Sequence, residues 1–342
     1  MKIGLVGYQG SGKSTLFEFL TGVRPDPAQA HVGQSAMAPV PDIRVEPLCK
    51  VYNPKKITLA SLELVDTPGL ARSHEGNATR LSVLREAGCL VLVVGAFAGQ
   101  DWRQDLHGFR EDLLLADMQI VSGRIDRLKE SVKKPRPNRD QELAELAALE
   151  PMLTALEAGK ALSDVGLTEE QLKHTRSFRL LTEKPTLILV NVADDETDLQ
   201  KYRAGAADEQ RIFAAPLGLE LELARMTPED RSAFQEEMGL SGSCRDDLIR
   251  LILDVSGQML YFTAGEKEVR TWMLHKGGTA LEAAENIHSD LARGFIRAET
   301  ILCDDLIRLG SEREVKAKNL ARQEPKDYVV KDGDILHIKF SV

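Results

Sequence analysis

One stretch constrains this chain more than any other: Gly7-Tyr8-Gln9-Gly10-Ser11-Gly12-Lys13-Ser14. It fits G-x-x-x-x-G-K-[ST] at every fixed position, a pattern with a mechanism only between a strand and a helix. Lys2-Ile3-Gly4-Leu5-Val6 ahead of it reads as a short buried strand, and Thr15-Leu16-Phe17-Glu18-Phe19-Leu20-Thr21 behind it as a helix stopped by Gly22. The glycines let successive backbone N–H groups converge on one phosphate, and the positive end of the helix adds to the pull. Gly7, Gly10, Ser11, Gly12 and Thr15 are therefore expected to form a phosphate cradle. Lys13 would reach the β- and γ-phosphates as a catalytic cation, and the Ser14 hydroxyl would hold Mg²⁺. A chain built on such a unit is expected to be α/β, a parallel sheet with helices on both faces.

A second signature follows. Ala60-Ser61-Leu62-Glu63-Leu64-Val65 reads as a strand running into Asp66-Thr67-Pro68-Gly69-Leu70. Asp66 is placed to hold Mg²⁺ through water, and the Gly69 N–H to meet the γ-phosphate as a catalytic donor. Leu70 stands where signalling GTPases carry the glutamine that orients the attacking water. A leucine makes no hydrogen bond, so rapid hydrolysis by that route is excluded. Residues 23–58, with prolines at 25, 27, 39, 41, 47 and 54, show little regular pattern and read as the place for a mobile, phosphate-sensing loop.

The run Cys89-Leu90-Val91-Leu92-Val93-Val94 suits a strand buried on both faces. After Trp102 the period changes. Leu114, Met118, Val121, Ile125, Leu128 and Val132 mark a coiled-coil seam broken by Pro135 and Pro137, answered by Leu143, Leu146, Leu149, Leu153 and Leu156. This predicts an inserted antiparallel helical hairpin, with a capping box at Thr168–Gln171 opening a further helix to about Leu181. The sheet resumes at Thr186-Leu187-Ile188-Leu189-Val190. It ends in Asn191-Val192-Ala193-Asp194, which has the N-x-x-D spacing of a guanine-reading turn but Val192 in place of its lysine. An ordinary polar strand-end turn explains the same residues. Arg211-Ile212-Phe213-Ala214-Ala215 would be the last strand, with Ala214 offering main-chain groups to a base. From Gln258 onward, hairpin, helix and strands predict a compact β-grasp module.

The 342 residues suffice for two or three domains, and 43% hydrophobic with 28% charged residues indicates a soluble globular chain. No apolar run reaches the ~20 residues of a membrane helix, and no secretory leader is evident. Cys49, Cys89, Cys244 and Cys303 form no C-x-x-C pair, which points to reduced thiols in a cytoplasmic setting. A net charge of −9 argues against general coating of nucleic acid. The basic run from Arg124 to Arg139 reads as the solvated tip of the hairpin, with RNA contact as the second reading.

Phe262-Thr263-Ala264-Gly265-Glu266-Lys267-Glu268-Val269-Arg270, Gly294-Phe295-Ile296-Arg297-Ala298-Glu299 and Lys326-Asp327-Tyr328-Val329-Val330-Lys331-Asp332-Gly333-Asp334 resemble the TGS domain of the YchF/Obg-like ATPase family. The order of P-loop, D-x-x-G, coiled-coil insertion, N-x-x-D and TGS is similar to that family over essentially the whole chain. The resemblance implies a P-loop NTPase (OBG-type) domain at 1–104 and 182–257, a helical insertion at 105–181 and a C-terminal β-grasp (TGS) domain at 258–342. It further implies a cytoplasmic TRAFAC-class ATPase whose partner is the ribosome, through rRNA and ribosomal protein, with no membrane or sequence-specific DNA partner; a monomer is expected.

The chain departs from the family pattern at several places. Gly10 replaces the loop asparagine, Ala30 falls where a first-switch threonine is expected, and the second switch shortens to Leu70–Asn77. The family's loop histidine has no counterpart between Ala96 and Trp102; Ser35 and His74 are the nearest substitutes. Slow Mg²⁺-dependent turnover of ATP or GTP is thus the first expectation, and a nucleotide-binding scaffold without turnover the second. A small-molecule kinase is a distant third, at odds with the D-T-P-G placement and the TGS module.

Overall fold

The computed structural model describes residues 1–29, 32–73, 77–203, 211–238 and 243–341. Its contacts divide the chain into two compact units, Met1–Met37 with Glu63–Arg245, and Ala38–Leu62 with Asp246–Val342. The strands run β1 (Lys2–Val6), β2 (Gln34–Pro39), β3 (Ile57–Thr58), β4 (Ser61–Asp66), β5 (Cys89–Ala96), β6 (Thr186–Val192) and β7 (Ile212–Ala215). Then come β8 (Gln258–Ala264), β9 (Val269–His275), β10 (Phe295–Leu302), β11 (Arg322–Glu324) and β12 (Asp334–Phe340).

The sheet of the first unit has the order β2-β4-β1-β5-β6-β7. From β4 to β7 every neighbour is parallel, with Leu5 beside Asp66, Val93 beside Leu189 and Val190 beside Ala214. Seven of the eight β5 positions are buried, as a parallel strand covered on both faces requires. Parallel strands end on a common edge, so the loops after β1, β4 and β6 meet there. That edge is where open α/β sheets hold ligands.

The 30-residue helix Trp102–Ser131 starts on Asp101, whose carboxylate accepts hydrogen bonds from the Arg103 and Gln104 N–H groups. It packs against the helix Arg139–Glu157 through Val121, Ile125 and Leu128 on one side and Leu149, Met152 and Leu156 on the other. The expected seam is therefore real, but Leu143 is 38% exposed, so it stops short of the tip. Within the basic run, Arg124 grips Glu145 through two 2.7 Å bonds and Lys129 lies 3.1 Å from Glu150, so part of that charge braces the helix pair. The Thr168–Gln171 capping box forms as expected. Its helix ends at Thr175, well before Leu181, because Arg179 adopts a positive φ and Leu180 and Leu181 turn into hydrophobic cores instead.

The second unit's sheet has the order β11-β10-β12-β8-β9-β3. β8 and β9 form the expected antiparallel hairpin, and β12 runs parallel to β8. A Thr279–Glu282 capping box opens the helix Ala280–Ile287, whose Ala283 carbonyl accepts a 2.8 Å bond from the Tyr261 hydroxyl. A break at His288 separates this helix from a short one, Ser289–Arg293, and Val329 forms an isolated bridge to Thr279. Residues 23–58 hold more structure than their prolines suggest. Pro47 sits in the first turn of a helix, Val45–Tyr52, where its missing N–H costs no bond. Leu48 of that helix is fully buried with Phe262 and Val269, and β3 adds to β9. Residues 38–62, expected in the nucleotide-binding part, belong to the second unit.

Candidate nucleotide site

Between β1 and the helix Lys13–Thr21 lies the loop Gly7–Gly12. Gly12 has φ 102°, and a Cβ there would run into the Asn191 side-chain amide. Gly7 has φ 147°, and a Cβ would strike the Val93 carbonyl. Conformation and space both demand glycine at these two positions. No side chain caps the start of the helix, which leaves its first N–H groups to a ligand.

The loop after β4 is laced to this one by backbone bonds. The Gln9 N–H donates to the Leu70 carbonyl and the Leu70 N–H to the Gly7 carbonyl, each at 3.1 Å. The Thr67 hydroxyl adds a 2.6 Å bond to the Leu5 carbonyl. These bonds bring residues far apart in sequence to one point. The Ser14 hydroxyl donates to Asp66 Oδ2 at 2.8 Å. A Cβ on Gly69 would lie 3.1 Å from Lys13 Nζ, so the lysine tip passes directly over that glycine.

Lys13 is 7% exposed and donates to the Tyr8 carbonyl at 3.0 Å. Burial pulls its pKa down to about 8, against the opposing charge of Asp66. Burial pushes the Asp66 carboxyl up, partly offset by the Ser14 bond and the Lys13 charge. Asp66 Oδ1 and Ser11 Oγ are buried without a hydrogen-bond partner. An orphaned carboxylate oxygen is costly, and a cation beside it removes the cost. Ser14 Oγ and the Asp66 carboxylate are the oxygen donors a hard ion such as Mg²⁺ takes, with water and phosphate completing its shell. Among the described residues no cluster of three or more His, Cys, Asp or Glu could hold a metal by itself.

Two cavities flank the loop and share Gly10, Lys13 and Ser14. One, of about 620 Å³, extends from Gly12 and Thr15 to Asn191, Asp194 and Gly218. The other, of about 480 Å³, is bounded by Gln9, Asp66, Gly69 and Arg80.

At the far end of the larger cavity the expected base-reading residues are occupied otherwise. Asn191 is 6% exposed; its Nδ2 donates to the Ser11 carbonyl at 3.2 Å and its Oδ1 accepts from the Leu217 N–H at 3.1 Å. It staples the phosphate loop to the helix Leu217–Arg225. Asp194 Oδ1 accepts from the Leu219 N–H at 2.9 Å, which caps the same helix. Val192 lines the cavity but is only 2% exposed, its side chain held in the core with Trp102 and Tyr202. Ala214 is not brought to the site: it is 4% exposed in the middle of β7, and the cavity is met further on, at Gly218. Gly218 was missed in the sequence, although a glycine at a strand-to-helix turn signals close approach; a Cβ there would lie 2.8 Å from Asp194 Oδ1. Phe97 and Arg80 carried no motif and were missed too. Leu70 is 2% exposed and faces the core, as far from water chemistry as its composition implies. Ser35 is exposed on β2, while Ala30 and His74 lie outside the described residues.

Family models agree with this geometry. One described as "50S ribosome-binding GTPase" matches residues 2–121. The YchF-GTPase_C model, described as "Protein of unknown function (DUF933)", matches residues 259–341. The chain is 35% identical to the ribosome-binding ATPase YchF of Bacillus subtilis, covering 99% of each sequence. It is 34% identical to the Obg-like ATPase 1 of Oryza sativa, covering 100% of this chain and 92% of that one. Among solved structures, the Schizosaccharomyces pombe YchF GTPase superposes with a TM-score of 0.86 at 25% identity, covering 99% of this chain and 97% of that one. Alike over its full length to relatives more than 30% identical, and sharing the fold of a YchF structure over 99% of its length, the chain belongs to the YchF family.

Proposed function

We propose that the chain binds a purine nucleoside triphosphate with Mg²⁺ and hydrolyses it slowly, as a cytoplasmic, ribosome-associated NTPase. The observation that carries this is the meeting of Ser14, Asp66, Gly69 and the buried Lys13 at one point beside an uncapped helix start. Phosphoryl transfer demands mainly positioning and charge neutralisation. Lys13 and the Gly10–Thr15 amides hold the β- and γ-phosphates, Ser14 and Asp66 hold the ion, and the Gly69 N–H meets the γ-phosphate. Mg²⁺, when bound, neutralises charge that develops on the phosphate oxygens. With Leu70 in the core, no side chain at that position orients water, so turnover is slow and sensitive to a partner that completes the site.

Relatives carry the names ribosome-binding ATPase and Obg-like ATPase, which favours ATP over GTP and the ribosome as partner. The base end supports the same preference, since Asn191 and the Oδ1 of Asp194 are already engaged. We further propose three functional parts, acting as a monomer: the nucleotide domain at 1–104 and 182–257, of which residues 38–62 and 246–257 fold with the C-terminal unit, a helical insertion at 105–181, and a TGS module at 258–342. A second reading, a scaffold that binds but does not turn over, is favoured by the departures in the switch regions, above all Ala30 where a first-switch threonine is expected. Titrating ATP and GTP and following phosphate release, with and without ribosomes, tests both. Turnover unaffected by Lys13→Ala sinks the first; ribosome-stimulated turnover sinks the second.

A further inference from the structure

The helix Asn77–Leu84 follows the D-T-P-G loop, and one of its side chains turns back toward the phosphate site. Arg80 Nη1 donates to the Gly69 carbonyl at 2.9 Å. Its guanidinium lines the 480 Å³ cavity that Lys13, Ser14 and Asp66 also line. Two cations thus converge on Gly69, the Lys13 ammonium on one side and Arg80 through the carbonyl. The neighbouring Leu70 contributes nothing polar.

We propose that Arg80 is an arginine supplied from within the chain for cleavage of the terminal phosphate; this rests on the reading that the loop holds a triphosphate. In that reaction a water oxygen bonds to the γ-phosphorus and the bond to the β–γ bridging oxygen breaks. The electron pair leaves on the diphosphate and both water protons end on the released phosphate, with no change of oxidation state. Negative charge spreads over the γ oxygens and the bridging oxygen as the bond loosens. A guanidinium stays charged at any working pH and presents a planar fork of donors matched to phosphate oxygens. Anchored on the Gly69 carbonyl, Arg80 stands where that charge grows and stabilises it, a role separate from the water orientation that Leu70 does not provide. The alternative role is a brace for the Gly69 peptide, which needs a hydrogen-bond donor but no charge.

Arg80→Ala and Arg80→Gln separate the two. ADP and GDP binding should stay within twofold of wild type in both variants, because the diphosphate sits on the loop amides and Lys13. Single-turnover cleavage of ATP or GTP should fall about 100-fold or more in both, as for other arginines in this role. Affinity for the diphosphate with aluminium fluoride, a mimic of the transferring phosphoryl group, should fall in parallel. Should Arg80→Gln cleave within threefold of wild type, or bind the fluoride complex as tightly, a neutral donor suffices and the proposal is overturned. A wild-type protein that binds diphosphate but does not cleave leaves the fluoride complex as the deciding measurement. A wild-type protein that binds neither diphosphate overturns the phosphate-loop reading itself, and this proposal with it.

Discussion

The two ends of the nucleotide cavity are built on opposite principles. At the phosphate end, polar groups are held short of what they need: Asp66 Oδ1 and Ser11 Oγ lack partners, the Lys13 ammonium is buried, and the helix start is uncapped. At the base end the buried polar group is satisfied internally: Asn191 uses both halves of its amide, while the exposed Asp194 caps a helix through one of its oxygens. Burying an unpaired polar group costs a few kcal/mol, so the first end is poised for a ligand that restores its bonds. The second is, at Asn191, already part of the scaffold. The difference teaches that affinity should come from the triphosphate–metal unit, and only weak discrimination from the base.

The strongest way to break this contrast is at Lys13. Lys13→Ala should lower triphosphate affinity about 100-fold or more, the usual consequence of removing one partner of a buried charge pair. The ligand-free protein should be no less stable, because the buried ammonium is disfavoured where it sits, its pKa drawn down to about 8. Calorimetric titration paired with denaturant unfolding reads both. A loss of folding stability with affinity intact would reverse the contrast.

Asn191→Ala should do the converse. It strands the Leu217 N–H and the Ser11 carbonyl, both in a buried setting, and should cost about 2 kcal/mol of stability in the first unit. Its effect on nucleotide should arise through the loosened loop and be equal for ATP and GTP. Unequal losses would make Asn191 a reader of the base.

How much of this was legible in the sequence follows from the same contrast. The phosphate end is written in residue types that backbone geometry enforces. Gly7 and Gly12 must be glycine, and a strand–loop–helix with D-x-x-G behind it leaves few alternatives. The base end is written in residues whose hydrogen bonds depend on tertiary neighbours. Asn191 and Asp194 have the spacing of a reader, yet Leu217 and Leu219 of a distant helix claim them. The Val45–Tyr52 helix was hidden for a related reason: proline density looks like loop unless one knows that Pro47 falls in a first turn. Arg80 belongs to no pattern at all and shows itself only by where its helix points it.

The contrast also predicts a pH dependence confined to the phosphate end. The ordinary Lys13 pKa is 10.5 and the folded value about 8, so the free site loses its ammonium proton as pH rises through 8, while a bound triphosphate keeps it charged. Affinity should therefore be fullest below pH 8 and fall about fivefold between pH 8 and 9. The stability of the ligand-free protein carries the opposite sign. Between about pH 8 and 10.5 the unfolded chain binds the extra proton, so this group's contribution improves as pH rises. Lys13→Arg should abolish the affinity slope; a slope that survives would assign it to another group.

The smallest effect is expected at Asp194. Its carboxylate accepts the Leu219 N–H at the start of the helix Leu217–Arg225, where a negative charge also favours the helix end. Asp194→Asn keeps an accepting oxygen and removes the charge, so it should cost about 1 kcal/mol or less. If Asp194 is scaffold, ATP and GTP titrations of wild type and Asp194→Asn should shift together by less than threefold. If instead it reads guanine, the variant should lose GTP selectively while ATP binding stays, since a neutral amide cannot accept from two guanine donors at once. A selective loss of tenfold or more would mean that Asp194 reads the base through the carboxylate oxygen that Leu219 does not occupy, and that the base end is a second unfinished site.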